Sequence, residues 1–350
     1  MTAPAPAPAM STKYLYYPGC SMHRNARAYL DSTDAVTRQL GIQTEEIHDW
    51  NCCGATEFHS VYHLPAYALI ARNLALAAEQ ADGSNTVFAT CSACYLNLAK
   101  ADSYMLNDPH LDKQVNEALA AGGLSYKPGS LNIRHLLDII VNDIGLEMVE
   151  SLVTRRLDGL KIAPYYGCMI ARPDLGNRSD DPEHPMAMDH LLTALGAEVV
   201  PYPLKTQCCG GHMTQIDLPT AYELIHRLVN GAAINGADLI VTLCPMCQLN
   251  LDAYQGDVNT FFKTNFHMPI LYFTQLIGLA FGFDPEALGI GREFVASKET
   301  LAKIGAIASV GPEDAETAKP LAAAPKPKRV KREGLPMPSA LGGPRREGDD

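Results

Sequence analysis

Between residue 14 and about residue 283, short apolar and aromatic runs alternate with longer stretches whose apolar positions recur at helical spacing. Residues 14–17, all aromatic or apolar, read as a short buried strand, and Pro18-Gly19 turns the chain to deliver Cys20 at its C-terminal end. Ala28, Leu30, Ala35, Val36 and Leu40 recur as on one helix face, which predicts a helix over 25–40 stopped by Gly41. A second strand is predicted over 42–47. The Ala- and Leu-rich segment 64–78, with Pro65 in its first turn, predicts a helix. A strand over 86–90 then runs into a helix over 94–105, so that Cys91-Ser92-Ala93-Cys94 straddles a strand-to-helix turn. Residues 107–130 read as irregular or loosely helical, and 134–144 as a helix closing the first half.

The second half repeats this plan. Tyr16-Tyr17-Pro18-Gly19-Cys20 is echoed by Tyr165-Tyr166-Gly167-Cys168, a helix is predicted over 186–195 ending at Gly196, and 199–202 takes the place of the second strand. The segments around Cys91-Ser92-Ala93-Cys94 and Cys244-Pro245-Met246-Cys247 both continue into Leu-Asn-Leu. The alternation predicts an α/β fold: two halves related by a pseudo-twofold axis, each a small, mainly parallel sheet flanked by helices. The expected divisions are a disordered 1–12, a first domain over 13–150, a second over 151–300 and a disordered tail over 311–350. That tail holds 12 Pro or Gly among 40 residues, no aromatic, and a basic run from Lys326 to Arg332.

Composition narrows the class. With 350 residues, 47% hydrophobic and 19% charged, the chain can bury two cores of ordinary size, and a net charge of -11 argues against a nucleic-acid binder. The N-terminus lacks the basic start and apolar run of a secretion signal, which makes the cytoplasm the expected location. The longest apolar run, residues 269–283, is shorter than the ~20 residues of a membrane-spanning helix and reads as a buried element.

The ten cysteines form two sets of five in one order: a lone cysteine, Cys-Cys-Gly, then Cys-x-x-Cys. The gaps are 31 and 37 residues in the first set and 39 and 34 in the second. Because each element follows a predicted strand, all five thiols of a half are expected at one sheet edge, where parallel α/β sheets place their sites. Disulfides suit small secreted domains rather than a chain of this size, and adjacent cysteines do not readily bond each other. Structural zinc takes four ligands, so one zinc per half leaves a thiol over, and zinc in one half stands as the secondary alternative. An iron–sulfur group accommodates more thiolates at irregular spacing, and Gly54, Gly210 and Gly211 let backbone come close to a bulky inorganic core.

This doubled pattern resembles the CCG domain family, and the chain over about 14–283 resembles the catalytic B subunit of heterodisulfide reductase and its bacterial relatives, including the sulfur-oxidising branch. The resemblance implies that Cys20, Cys52, Cys53, Cys91 and Cys94 bind one noncubane [4Fe-4S] cluster and that Cys168, Cys208, Cys209, Cys244 and Cys247 bind another. It implies an oxidoreductase acting on sulfur groups, in which a disulfide between the clusters is reduced, or thiols oxidised, by one-electron steps. It also implies two partner subunits, one ferredoxin-like and one an FAD-containing flavoprotein, and a thiol or disulfide substrate that a carrier protein can present. No phosphate loop or Gly-x-Gly-x-x-Gly is visible, in keeping with electrons arriving from another protein. The alternative function is an electron-transfer or quinone-reactive subunit of a succinate dehydrogenase-like complex.

Among other side chains, His212 beside the second cysteine pair is the candidate proton donor to a departing thiolate, ahead of His59 and His63. Tyr16, Tyr17, Tyr165 and Tyr166 are expected to pack in the sheets, and Lys205 to lie at the surface.

Overall fold

The computed structural model of the protein describes residues 13–55, 58–175 and 180–305. The expectations for 1–12 and 311–350 lie outside these residues. Two four-stranded, wholly parallel sheets follow each other along the chain. In the first, β1 (Lys13–Tyr17), β2 (Gln43–Glu46), β3 (Thr86–Ala89) and β4 (Asn132–His135) stand in the order β2-β1-β3-β4. In the second, β5 (Lys161–Tyr165), β6 (Glu198–Val199), β7 (Leu239–Thr242) and β8 (Ile270–Tyr272) stand in the equivalent order β6-β5-β7-β8. The α/β reading and the duplication therefore hold at the level of strand order.

In each half the first and third strands lie side by side in the middle of the sheet, Tyr17 opposite Ala89 and Tyr165 opposite Thr242. Their residues are almost wholly buried, as strands covered on both faces by helices must be. The two sheets lie in one compact unit. Its core is shared: the first-half helix Arg27–Gln39 packs on the second-half helix Phe273–Ala280. The Tyr29 ring stacks on Tyr272 at 4.0 Å between centroids, and the Ser32 and Thr274 hydroxyls bond at 2.7 Å. The apolar run 269–283 is thus β8 and the helix behind it, buried throughout its regular elements.

Several boundaries differ from expectation, each for a local reason. Residues 107–130 contain a regular helix, Pro109–Ala120, whose start is fixed by the Asp108 carboxylate accepting from the amides of His110 and Leu111, with Pro109 in the first turn. The helix expected over 134–144 begins later. Asn132–His135 is the edge strand β4, and the helical turns start at Leu136, passing through a π-helical stretch, Ile139–Gly145. The strand expected over 199–202 is only Glu198–Val199. The helix Leu218–Ile234, packed behind the second cysteine pair, is absent from the elements that the pattern predicts.

His135 ends β4 in a dry setting. Only 2% exposed, it accepts the Leu137 amide on Nδ1, which fixes the proton on Nε2, a buried atom with no hydrogen-bond partner; the carbonyls of Thr90 and Leu243 lie near the ring. Burial lowers its pKa to about 4 against weaker upward pulls from those carbonyls, Asp138 and Cys244. The folded chain thus holds His135 neutral where the unfolded chain, below about pH 6.5, takes up a proton. Stability falls as pH drops from about 6.5 towards 4, by roughly 2 kcal/mol at pH 5 from this residue alone. The urea midpoint should drop accordingly between pH 7 and pH 5, and His135→Asn, which can still accept the Leu137 amide, should flatten that drop.

Candidate functional site

The residues that follow each central strand bring the cysteines together. Cys91 and Cys244 are the N-cap residues of helices Ser92–Asn107 and Pro245–Ala253, so each Cys-x-x-Cys wraps the first turn of a helix leaving the middle of a sheet. Cys20 and Cys168 follow the neighbouring central strands after the turns at Gly19 and Gly167. The pairs Cys52-Cys53 and Cys208-Cys209 arrive on loops. All ten thiols are free.

Their sulfurs form a line. In the first half, Cys20 lies 3.6 Å from Cys52 and Cys53 lies 3.4 Å from Cys94. Cys52 also contacts Cys53, and Cys94 contacts Cys91. The second half has the same succession, Cys168 to Cys208 to Cys209 to Cys247 to Cys244. The two lines meet where Cys91 and Cys244 lie 4.0 Å apart, sulfur to sulfur. Burial is graded along them: Cys53, Cys91, Cys94, Cys209, Cys244 and Cys247 are buried, Cys168 is half-buried, and Cys20, Cys52 and Cys208 are exposed. Among the described residues no three or more Cys, His, Asp or Glu side chains close around one point as a single-ion site requires. A string of thiols suits a group with several metal atoms better than one ion.

Matched supports hold both sets. The Tyr17 hydroxyl donates to the Asn51 carbonyl at 2.7 Å and that of Tyr165 to the Gln207 carbonyl at 2.8 Å, in each case the carbonyl just ahead of the cysteine pair. The Asn97 amide donates to the Cys53 carbonyl at 3.0 Å, and Asn250 donates to the Cys209 and Gly211 carbonyls at 3.3 and 2.8 Å. These are the asparagines of the two Leu-Asn-Leu repeats, whose role the sequence signals by repetition without disclosing it.

Crowding divides the protons among the thiols. Contact with Cys168 and Cys209 draws Cys208 down to about 2, aided by the Gly210 amide and Arg227, while Cys209 rises to about 12 because its neighbour Cys208 holds the charge. Cys53 and Cys244 are likewise held low by neighbouring thiols, and Cys20, Cys91, Cys94, Cys168 and Cys247 are pushed up by neighbouring thiols and burial. Sulfurs competing in this way are suited to a cationic inorganic core, which would let all of them ionise.

The other candidates are dispersed. His212 is half-buried and precedes the short helix Met213–Ile216, its carbonyl accepting the Gln215 amide. His63 is exposed, its ring 4.7 Å from that of Tyr67, and the His59 side chain lies outside the described residues. The four tyrosines pack in the core as expected. Lys205 is not at the surface: it is 5% exposed and its Nζ lies 3.2 Å from Asp189, so its charge is already matched. A cavity of about 50 Å³, room for a few waters, is lined from both halves by Tyr95 beside Cys94, His135, Tyr166 and Ile170.

A duplicated parallel α/β scaffold with five thiols at each sheet edge defines a cysteine-rich protein of the CCG class. The CCG cysteine-rich domain model matches residues 14–99 and again 162–252, and the chain belongs to that family with the domain in two copies. Its relatives include the 8-methylmenaquinol:fumarate reductase membrane anchor subunit of Wolinella succinogenes, 34% identical over 82% of this chain and 98% of that protein. Another relative is the B subunit of the ferredoxin/F(420)H(2)-dependent CoB-CoM heterodisulfide reductase of Methanosarcina acetivorans, 31% identical over 83% of this chain and 97% of that protein. A crystal structure of a hypothetical protein from Helicobacter pylori shares the fold with a TM-score of 0.63 at 17% identity, covering 85% of this chain and 54% of that one.

The supports make a graded prediction. A methyl group on Gly19 would sit 2.8 Å from the Cys94 sulfur, and one on Gly167 3.2 Å from the Cys247 sulfur, both on backbone with φ near +75°. Gly19→Ala and Gly167→Ala should each lower unfolding free energy by about 1–3 kcal/mol, with Gly19→Ala the more costly. Urea unfolding of the two variants side by side checks the order.

Proposed function

We propose that this chain is the iron–sulfur subunit of a heterodisulfide reductase-like complex, reducing a disulfide or, in reverse, oxidising thiols. The observation that carries the reading is the succession of ten neighbouring sulfurs, two matching sets of five meeting at Cys91 and Cys244. In this reading Cys20, Cys52, Cys53, Cys91 and Cys94 hold one noncubane [4Fe-4S] cluster, and Cys168, Cys208, Cys209, Cys244 and Cys247 the second. Such groups, when bound, supply one-electron chemistry at each set.

The chain's own residues account for the rest. In this reading the disulfide lies between the two sets, where each of its sulfurs can face one of them; Cys20, Cys52 and Cys208 are exposed, and the other seven cysteines are buried or half-buried. Reduction of a disulfide to two thiols takes up two electrons and two protons, and two sets can each serve one sulfur. His212, next to the second cysteine pair, would give a proton to the leaving thiolate. A ferredoxin-like partner and an FAD-containing partner would deliver or remove electrons, and the name of the Methanosarcina relative supports a multi-subunit reductase.

A second reading has its own support. The Wolinella relative is named as part of a quinol:fumarate reductase, which favours electron transfer from a quinol. Although that relative is called a membrane anchor, no helix among the described residues is long and apolar enough to cross a membrane.

Protein prepared without oxygen should contain roughly eight iron atoms and as many sulfides per chain, two four-iron groups. Cys53→Ala and Cys209→Ala should each remove about half. Normal iron in both variants would rule the assignment out. A paramagnetic signal altered by substrate thiol supports the disulfide chemistry, and one altered only by quinol moves the function to the second reading.

A further inference from the structure

The repeated motifs explain how each set of five thiols is held. They do not explain how the two sets are held to each other. That junction depends on Tyr29, a residue of helix Arg27–Gln39 that lies outside the repeated pattern. Its hydroxyl donates to the Thr90 carbonyl at 2.7 Å and lies 3.2 Å from the Leu243 carbonyl. Thr90 immediately precedes Cys91, and Leu243 immediately precedes Cys244. One phenol oxygen thus reaches the backbone on both sides of the 4.0 Å sulfur contact.

The phenol is itself held rigidly. Tyr29 is fully buried, stacked on Tyr272 with the rings 7° from parallel, and its ring meets Phe273 edge-on. One turn along the helix, Ser32 bonds Thr274. Ser92, the first residue of the helix after Cys91, adds a weaker bond at 3.4 Å to the same Leu243 carbonyl. The Tyr272, Thr274 and Leu243 partners all belong to the other half, so a movement that separates Cys91 from Cys244 must break these bonds in a dry interior, where an orphaned carbonyl is costly.

We propose that Tyr29 is a positioning residue that clasps the two thiol sets at the Cys91–Cys244 contact, so that charge added to one set shifts the potential of the other. The geometric half stands on the distances above, and the redox half rests on the iron–sulfur reading. The coupling is Coulombic: charge added to one set is felt by the other across a buried contact of a few ångströms, and loosening the clasp weakens it.

Tyr29→Phe in the full-length chain tests both halves, because phenylalanine keeps the stack on Tyr272 and removes only the donor. The cluster-free chain is first treated with iodoacetamide, which alkylates a thiolate and releases iodide, and peptide mapping follows each cysteine. Labelling of the buried Cys91 and Cys244 should quicken about tenfold in the variant, the effect of one lost buried hydrogen bond on the opening of the contact, while labelling of the exposed Cys20 stays unchanged. The iron-loaded chain is then titrated redox-wise with paramagnetic resonance as the readout, and the spacing between its two reduction potentials should narrow at unchanged iron content. An unchanged labelling rate at Cys91 and Cys244 overturns the clasp. Faster labelling with iron bound but unchanged spacing overturns the coupling. Faster labelling in a chain that binds no iron keeps the clasp and retires the iron–sulfur reading.

Discussion

Ten thiols in one succession of interacting neighbours, six of them buried, are the constraint to which the rest of the structure answers. Thiols this close cannot all ionise without a cation, and the opposed pulls that neighbouring thiols exert on one another express the conflict. The scaffold resolves the steric part. Parallel strands end at one edge, glycines with positive φ at 19 and 167 leave room for the sulfurs of Cys94 and Cys247, and the helices that Cys91 and Cys244 begin carry both cysteines of each Cys-x-x-Cys into the interior. Electrostatic relief is left to whatever fills the sites, which is why so specialised a donor set points to a cationic inorganic group rather than to structural bonding.

The two halves solve the same problem with the same parts. Tyr17 and Tyr165 hold the carbonyl ahead of the cysteine pair, and Asn97 and Asn250 hold the carbonyl within it. These bonds fix the path of the backbone, and Asn250 also reaches the Cys209 sulfur at 3.6 Å. Differences appear at the outer ends, where Cys20 is exposed and Cys168 half-buried. The first set is therefore the more open to solvent, and a partner or substrate would find the two ends unequal.

Much of this is legible in the residues because the signals are local and doubled. Tyr16-Tyr17-Pro18-Gly19-Cys20 and its echo at 165–168 disclose strand, turn and thiol together, and the Cys-x-x-Cys segments disclose the strand-to-helix turns. The misses have physical causes. Arg134-His135 reads as helix by pattern, yet parallel pairing with β3 makes it a strand, a tertiary effect that no window of sequence contains. The helix Pro109–Ala120 is legible in principle, since Asp108-Pro109 is a cap followed by a first-turn proline. Lys205 looks like a surface cation because its partner, Asp189, is 16 residues away and meets it only in the fold.

The junction is invisible in the sequence for a deeper reason. Repetition makes duplicated supports conspicuous, but a contact on a pseudo-twofold axis needs only one copy of each residue, and a single tyrosine in an amphipathic helix reads as ordinary core. Tyr29 and His135 both belong to the first half, yet each reaches or lies near the carbonyls of Thr90 and Leu243, one from either half. A second tyrosine at the equivalent place would compete for the same two carbonyls. Pairing the halves closely therefore requires that their symmetry be broken where they meet, and the residues that break it are the ones that repetition cannot reveal.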